Sequence, residues 1–174
     1  MATIEIVPIT QGHIEGFHRT LDILARKRRY LGFLEAPPLE ATWAFILDII
    51  AQGYPQFVAL SVGEVIGWCD VTPKPRPIYA HNGVLGMGLL RQFRARGIDK
   101  RLIAQSLGAA QAFGPQRVEL TVRENNVNAI ALYKKVGFEI EGVQRGAALV
   151  HEEGFPRCGV RTNAPFMVPL PTKP

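Results

Sequence analysis

Eight residues constrain this chain more than any others: Arg94-Ala95-Arg96-Gly97-Ile98-Asp99-Lys100-Arg101. Before them runs "HNGVLGMGLL", an apolar segment that reads as a strand ending near Leu90. After them runs "KRLIAQSLGAAQAF", with apolar residues at Leu102, Ile103, Leu107, Ala110 and Phe113. That spacing fits an amphipathic helix. The chain must therefore leave a strand, turn at Gly97 and start a helix within a few residues. The turn carries Arg94, Arg96, Lys100 and Arg101. Unpaired N–H groups and the positive end of a helix dipole both favour an anion at such a point. The segment reads as a cradle for a phosphate-bearing ligand.

The rest of the chain supplies short elements of both kinds. Residues 3–8 read as a strand, and a helical pattern runs from about Gly12 to Tyr30. "GFLEAPPLE" is a loop, because paired prolines do not sit inside a helix. A second helix spans Leu39 to Gln52 and stops at Gly53. "QFVALSV" and "VIGWCDVT" are strands joined at Gly63-Glu64, a hairpin signal. "PKPRP" is a stiff extended connection. "RVELTV" is a strand, and "NNVNAIALYKKV" a helix with an Asn cap and Gly137 as its stop. "FEIEGVQRGAAL" is a further strand. The tail "HEEGFPRCGVRTNAPFMVPL" reads as irregular, with a turn and a last strand. This order predicts an α/β chain, one domain over residues 1–174, with a mixed and mostly antiparallel sheet flanked by helices. The strand–helix–strand unit across Gly97 makes its two strands parallel neighbours.

Composition narrows the function classes. At 47% hydrophobic residues, wholesale disorder is excluded. No apolar run has the length of a membrane span, and "MATIEIVPIT" lacks the layout of a signal peptide. Cys69 and Cys158 stand far apart without metal-ligand spacing, so a reduced cytoplasmic protein without a metal is expected. The net charge of +5 raises nucleic acid as a partner. Yet the cations fall in two clusters, Arg26 to Arg29 and Arg91 to Arg101, and neither is interleaved with base-stacking aromatics. The first suits a helix C-terminus; the second suits a small polyanion. Neither nucleic acid nor membrane is expected as a partner.

Two ordered segments resemble a known family. "GMGLLRQFRARGI" resembles the cofactor strand and pyrophosphate loop of the GNAT family of GCN5-related N-acetyltransferases, and "LTVRENNVNAIALYKKVGFEIEG" resembles its second signature. "FVALSVGEVIGWCDV" is similar to its central hairpin. The likeness covers roughly residues 3 to 150, and looks closest to the bacterial enzymes for small amines, amino acids and protein N-termini. It implies a sheet of about six or seven strands with about four helices. A bulge at Gly86-Met87-Gly88 would splay the strands into a V-shaped slot for acetyl-CoA, the acetyl donor.

The resemblance also implies roles. Met87, Gly88, Leu89 and Leu90 would pair with pantetheine through their backbone, and one N–H there would polarise the thioester carbonyl. Arg94, Arg96, Gly97, Ile98, Asp99, Lys100 and Arg101 would hold the pyrophosphate. Asn126 would bond the pantetheine, cap its helix, or do both. Tyr133 would protonate the departing thiolate; read alone, a Tyr on such a helix is more often a core aromatic whose hydroxyl reaches a backbone partner. The acceptor amine, with a pKa of ~10.4 for a lysine-type group, must lose a proton. Some relatives carry Glu where this chain has Thr121, which cannot be a base. Glu119, two residues earlier on the same face, and His81, at the start of the cofactor strand, are the candidates, with a water chain at Thr121 as the remaining option. The loop around Phe33, Glu35 and Glu40 is where this fold shapes its acceptor pocket.

Three departures stand out. Asp99 occupies a place where the family has Gly or Ala, although a carboxylate also suits the first turn of a helix. The glutamate is missing at Thr121. The tail keeps Gly154 and Met167 but is longer and proline-rich. The reading is an N-acetyltransferase using direct attack of a primary amine, with an amino acid, a small amine or a peptide N-terminus as acceptor and no covalent enzyme intermediate. A homodimer through the last strand is compatible. The alternatives are a coenzyme-A-binding sensor or scaffold with the same fold, and a basic nucleic-acid module built on Arg26 to Arg29.

Overall fold

The computed structural model describes residues 3–151 and 159–169. Seven strands and four α-helices follow one another as β1 (Ile4–Pro8), α1 (Ile14–Ala25), α2 (Leu39–Gln52), β2 (Gln56–Ser61), β3 (Glu64–Pro73), β4 (Asn82–Leu89), α3 (Ile98–Phe113), β5 (Arg117–Thr121), α4 (Val127–Lys135), β6 (Phe138–His151) and β7 (Gly159–Pro169). The chain is an α/β fold divided within β5 into two compact units, Met1–Val118 and Glu119–Pro174.

In the first unit β1, β2, β3 and β4 pair in that order, each antiparallel to the next. The β2–β3 hairpin turns on Val62-Gly63, whose φ values of 50° and 80° give the two left-handed residues of a tight turn. The turn thus lies one residue before the expected Gly63-Glu64. α1 covers one face of the sheet. The Thr20 hydroxyl donates to Val65 O at 2.7 Å, and Phe17 meets the Trp68 ring edge-on at 5.1 Å. Leu21, Leu24, Ile46, Ile49, Val58 and Val65 complete this core. α3 packs on β2 and β3 through Leu102, Ile103, Ser106 and Ala110, and the Ser106 hydroxyl donates to Cys69 O at 2.9 Å.

One expectation about local structure needs correction. α1 ends at Ala25, five residues before the expected Tyr30, after a single 3-10 turn at Gln11–His13. Four consecutive cations repel one another, and Arg28 takes a left-handed φ of 49°, so Arg26 to Arg29 leave the helix instead of extending it. On its β3 side β4 is regular through Gly86-Met87-Gly88, whereas the expected bulge concerns its other edge. Pairing runs without a register shift from Gly67↔Leu89 to Pro73↔Gly83. The shift in this unit lies in β2, between Ala59 and Leu60.

In the second unit β7 pairs antiparallel with both β5 and β6. α4 begins at Asn126, whose side-chain oxygen accepts from Ala129 N at 3.4 Å, and ends before Gly137, at φ 99°. The last strand foreseen in the tail is β7, and Met167 lies on it opposite Leu120 and Ile140. Gly154 and Cys158 lie outside the described residues.

Candidate functional site

The Gly97 turn has the expected form. Gly97 holds φ 75°, ψ 4°, a left-handed conformation, and nothing lies within 4 Å of where a Cβ would stand. The backbone there is bare, and α3 starts at the next residue, Ile98. An anion can therefore reach the first N–H groups of a 16-residue helix. Ala95 also has a positive φ, 59°, so the turn is tight on both sides of Arg96.

The cations of this turn are less available than their number implies. Arg94 Nε donates to Leu89 O at 3.0 Å, which ties the turn to the end of β4. Arg101 donates to Ile4 O at 3.3 Å, and the Arg96 guanidinium stacks 5.7 Å from the Phe93 ring centre. Their charge remains near the turn while their side chains brace it. Asp99 folds back so that its Oδ1 accepts from Lys100 N at 2.9 Å. The carboxylate thus takes one of the first-turn N–H groups that a phosphate would otherwise use, and offsets the dipole at the same point.

In β4, two glycines have steric reasons. A Cβ on Gly88 would collide with the Trp68 ring and lie 2.9 Å from Leu24 Cδ1. A Cβ on Gly86 would lie 3.2 Å from both carboxylate oxygens of Asp70. Met87 is half-buried, Leu89 is buried, and Leu90 N donates to Ile66 O at 2.9 Å. His81 precedes β4, with an exposed side chain, and its carbonyl accepts from Gln116 N and Arg117 N at 2.9 and 3.3 Å. In the α1–α2 loop, Phe33 is 50% exposed and Glu35 pairs with Arg26 at 3.3 Å. The loop is pinned where Asp22 Oδ1 accepts from Ala36 N at 3.0 Å and His18 Nε2 lies 2.9 Å from Pro37 O. Glu40 is exposed in the first turn of α2.

In the second unit, Glu119 is buried on β5 and Thr121 is exposed at its end. Asn126 caps α4. Tyr133 is buried on that helix, with its ring edge-on to Phe138 at 5.8 Å.

Asp70 was missed by the sequence reading. It lies on β3 in line with Trp68, opposite Gln56 of β2 and Gly86 of β4. Burial pushes its carboxyl from the usual 3.8 up to about 7, against a hydrogen bond from the Trp68 side chain that lowers it. Gln56 is only 2% exposed, and neither atom of its amide has a hydrogen-bond partner among the described residues. The available signal was a lone carboxylate at an inward position of the apolar run "VIGWCDV".

Among the described residues no cluster of His, Cys, Asp and Glu is arranged to hold a metal, and no helix is long and apolar enough to cross a membrane.

Residues 18–138 match the acetyltransferase (GNAT) family. The L-amino acid N-acetyltransferase AaaT of Escherichia coli is 30% identical over 151 residues, which are 86% of this chain and 92% of that protein. An N-alpha-acetyltransferase of Sulfurisphaera tokodaii is 36% identical over 92 residues, 48% of this chain and 55% of its own. The fold is similar to that of yncA from Salmonella typhimurium, solved with its cofactor acetyl-CoA. The TM-score is 0.87 at 12% identity, over 99% of this chain and 96% of that one.

Proposed function

The chain belongs to the acetyltransferase (GNAT) family and is an N-acetyltransferase, and we propose that it moves an acetyl group from acetyl-CoA to the primary amine of an amino acid, a small amine or a peptide N-terminus. One observation of the geometry supports this reading most: the bare left-handed Gly97 at the start of α3, inside the segment that matches the family.

Acetyl-CoA supplies a thioester whose acyl carbon accepts an amine. The residues that fit it are those of the turn. The N–H groups of Gly97, Ile98 and Asp99 would hold the pyrophosphate, those of Lys100 and Arg101 being taken by Asp99 Oδ1 and Gly97 O, with Arg94, Arg96, Lys100 and Arg101 supplying positive charge. Met87 to Leu90 offer backbone to the pantetheine. In the second unit Asn126 bonds the pantetheine while it caps α4. The Tyr133 phenol donates the proton that a thiolate leaving group needs. Phe33 and Glu35 of the α1–α2 loop are the acceptor-side residues of the first unit, and Thr121 that of the second.

The test has two parts. Calorimetry at low salt is expected to show saturable acetyl-CoA binding, and none at millimolar ligand would refute the reading. Thiol release is then followed over a panel of amino acids, polyamines, aminoglycosides and peptides. Tyr133→Phe is expected to lower kcat on the order of 100-fold or more while leaving acetyl-CoA binding intact. A variant with unchanged kcat would remove Tyr133 from the role of acid.

A further inference from the structure

Gln56, Asp70 and Gly86 form one row across three strands of the first unit. Directly opposed residues of antiparallel strands share a face. The adjacent row on that face is Val58, Trp68 and Gly88, and Val58 and Trp68 belong to the hydrophobic core. α1 covers the core rows in order. Thr20 bonds at Val65, and Phe17 and Leu24 reach Trp68 and the Gly88 position. The helix then stops at Ala25. The polar row therefore continues the core face past the end of its covering helix, and Asp70 and Gly86 are half-buried where Trp68 and Gly88 are buried.

Three features of this row have no use in holding the fold. The Gln56 amide is buried with both polar atoms unpartnered among the described residues, a costly arrangement for a group that only packs. None of the ion pairs among the described residues includes Asp70. Its carboxylate lies over Gly86, where a Cβ would come within 3.2 Å of both oxygens. A carboxylate without a cation, beside an amide without partners, at the rim of an apolar core, is the complement of an ammonium that carries a second polar group.

We propose that this row is the acceptor site, that Asp70 is a catalytic residue taking a proton from the acceptor's ammonium, and that the Gln56 amide bonds the acceptor's neighbouring carbonyl or carboxyl oxygen. The inference rests on the acetyltransferase reading above. In the step, one ammonium N–H bond breaks and its electron pair stays on nitrogen. The proton goes to an Asp70 carboxylate oxygen, so a cation and an anion become a neutral amine and a carboxylic acid. The freed pair attacks the acyl carbon and forms the C–N bond; the C–S bond then breaks, the departing thiolate takes up one proton while the new amide nitrogen releases one, and Asp70 returns its own proton to water before the next cycle.

The surroundings leave this titration to Asp70. A carboxyl raised to about 7 by burial is half ionised at neutral pH, where a base is most useful. The half-buried titratable side chains of α1 are His18, placed on Pro37 O, and Asp22, held by Arg26 and Ala36 N. Glu40 and Asp48 of α2 are exposed. β2 and β4 contribute Gln56 and Gly86 to the row, neither ionisable. The neighbouring Cys69 thiol points to the α3 face, and burial pushes it far up, so it stays neutral.

The experiment compares the wild type with Asp70→Asn, Glu119→Gln and His81→Ala. It measures acetyl-CoA binding by calorimetry, kcat/KM for the amine against pH, and the carboxyl carbons by 13C NMR titration. Asp70→Asn is expected to bind acetyl-CoA as the wild type does, to lose on the order of 100-fold or more in kcat/KM, and to lose the acid limb near neutral pH. The NMR signal titrating near neutral pH disappears with it. An Asp70→Asn enzyme that keeps the wild-type rate or the acid limb overturns the inference alone. So does a limb that vanishes in Glu119→Gln or His81→Ala instead. A wild type that binds no acetyl-CoA overturns the underlying reading and takes the inference with it.

Discussion

Replacing Asp70 by Asn should make the protein more stable at alkaline pH and leave it unchanged at acid pH. The carboxyl's proton affinity rises on folding, from 3.8 to about 7, because burial penalises the charged form. The sign follows from linkage. Between those two values the folded state holds a proton that the unfolded state has released, so stability falls as pH rises. The stabilisation is fully present below about pH 4 and is lost once the pH passes about 7. A rise of about three units at 1.36 kcal/mol each gives a loss of about 4 kcal/mol as the ceiling. A half-buried carboxyl retains some water, so about 2–4 kcal/mol is the expected range. Asn has nearly the same shape, cannot ionise, and still accepts from the Trp68 indole. Urea unfolding of both proteins at pH 3, 6, 7 and 8 reads the difference directly, and the other titrating groups cancel. The midpoints should coincide at the lowest pH and separate by about 1–2 M at pH 8, with the variant ahead. A difference that does not change with pH, or a variant that is the weaker protein at pH 8, would refute the assignment. Stability gained by neutralising a group that chemistry needs is a usual trade at active sites.

Two further substitutions probe the frame around this row. Gly88→Ala forces a methyl into the Trp68 ring and Leu24. It should cost about 1–3 kcal/mol by overpacking, seen as a fall of about 3–10 °C in Tm. Asp99→Ala frees the Lys100 N–H and removes a negative charge from the turn. Acetyl-CoA binding by calorimetry should tighten by about 0.5–1 kcal/mol at low salt, a gain that added salt erodes. An unchanged affinity would show that the carboxylate already points clear of the pyrophosphate.

What could be read from the sequence was local. The Gly97 turn, the α3 start and the Asn126 cap are each fixed by residues a few positions apart, and each stands where the pattern put it. α2 ends at Gly53 in the left-handed conformation that glycine allows. α1 was read too long because Arg26 to Tyr30 holds no Gly or Pro and Arg and Lys are good helix formers, while charge repulsion and the left-handed Arg28 end the helix sooner. The glycines of β4 were legible as unusual, but not as to cause. Interior glycine signals either a bulge or a close approach, and only the neighbouring strand decides between them. That strand brings Trp68 over Gly88 and Asp70 over Gly86.

Asp70 was illegible for the same reason. Alternation along β3 shows which way it points, but its meaning depends on Gln56 and Gly86, which reach it through strand pairing. The turn is the part of this chain that a family pattern captures, because phosphate recognition is written in consecutive residues. The acceptor side is assembled across strands, one residue from each. Here the same register makes two features account for each other: a side chain at position 86 would press on the Asp70 carboxylate, and that carboxylate makes the half-buried end of the row attractive to a cation.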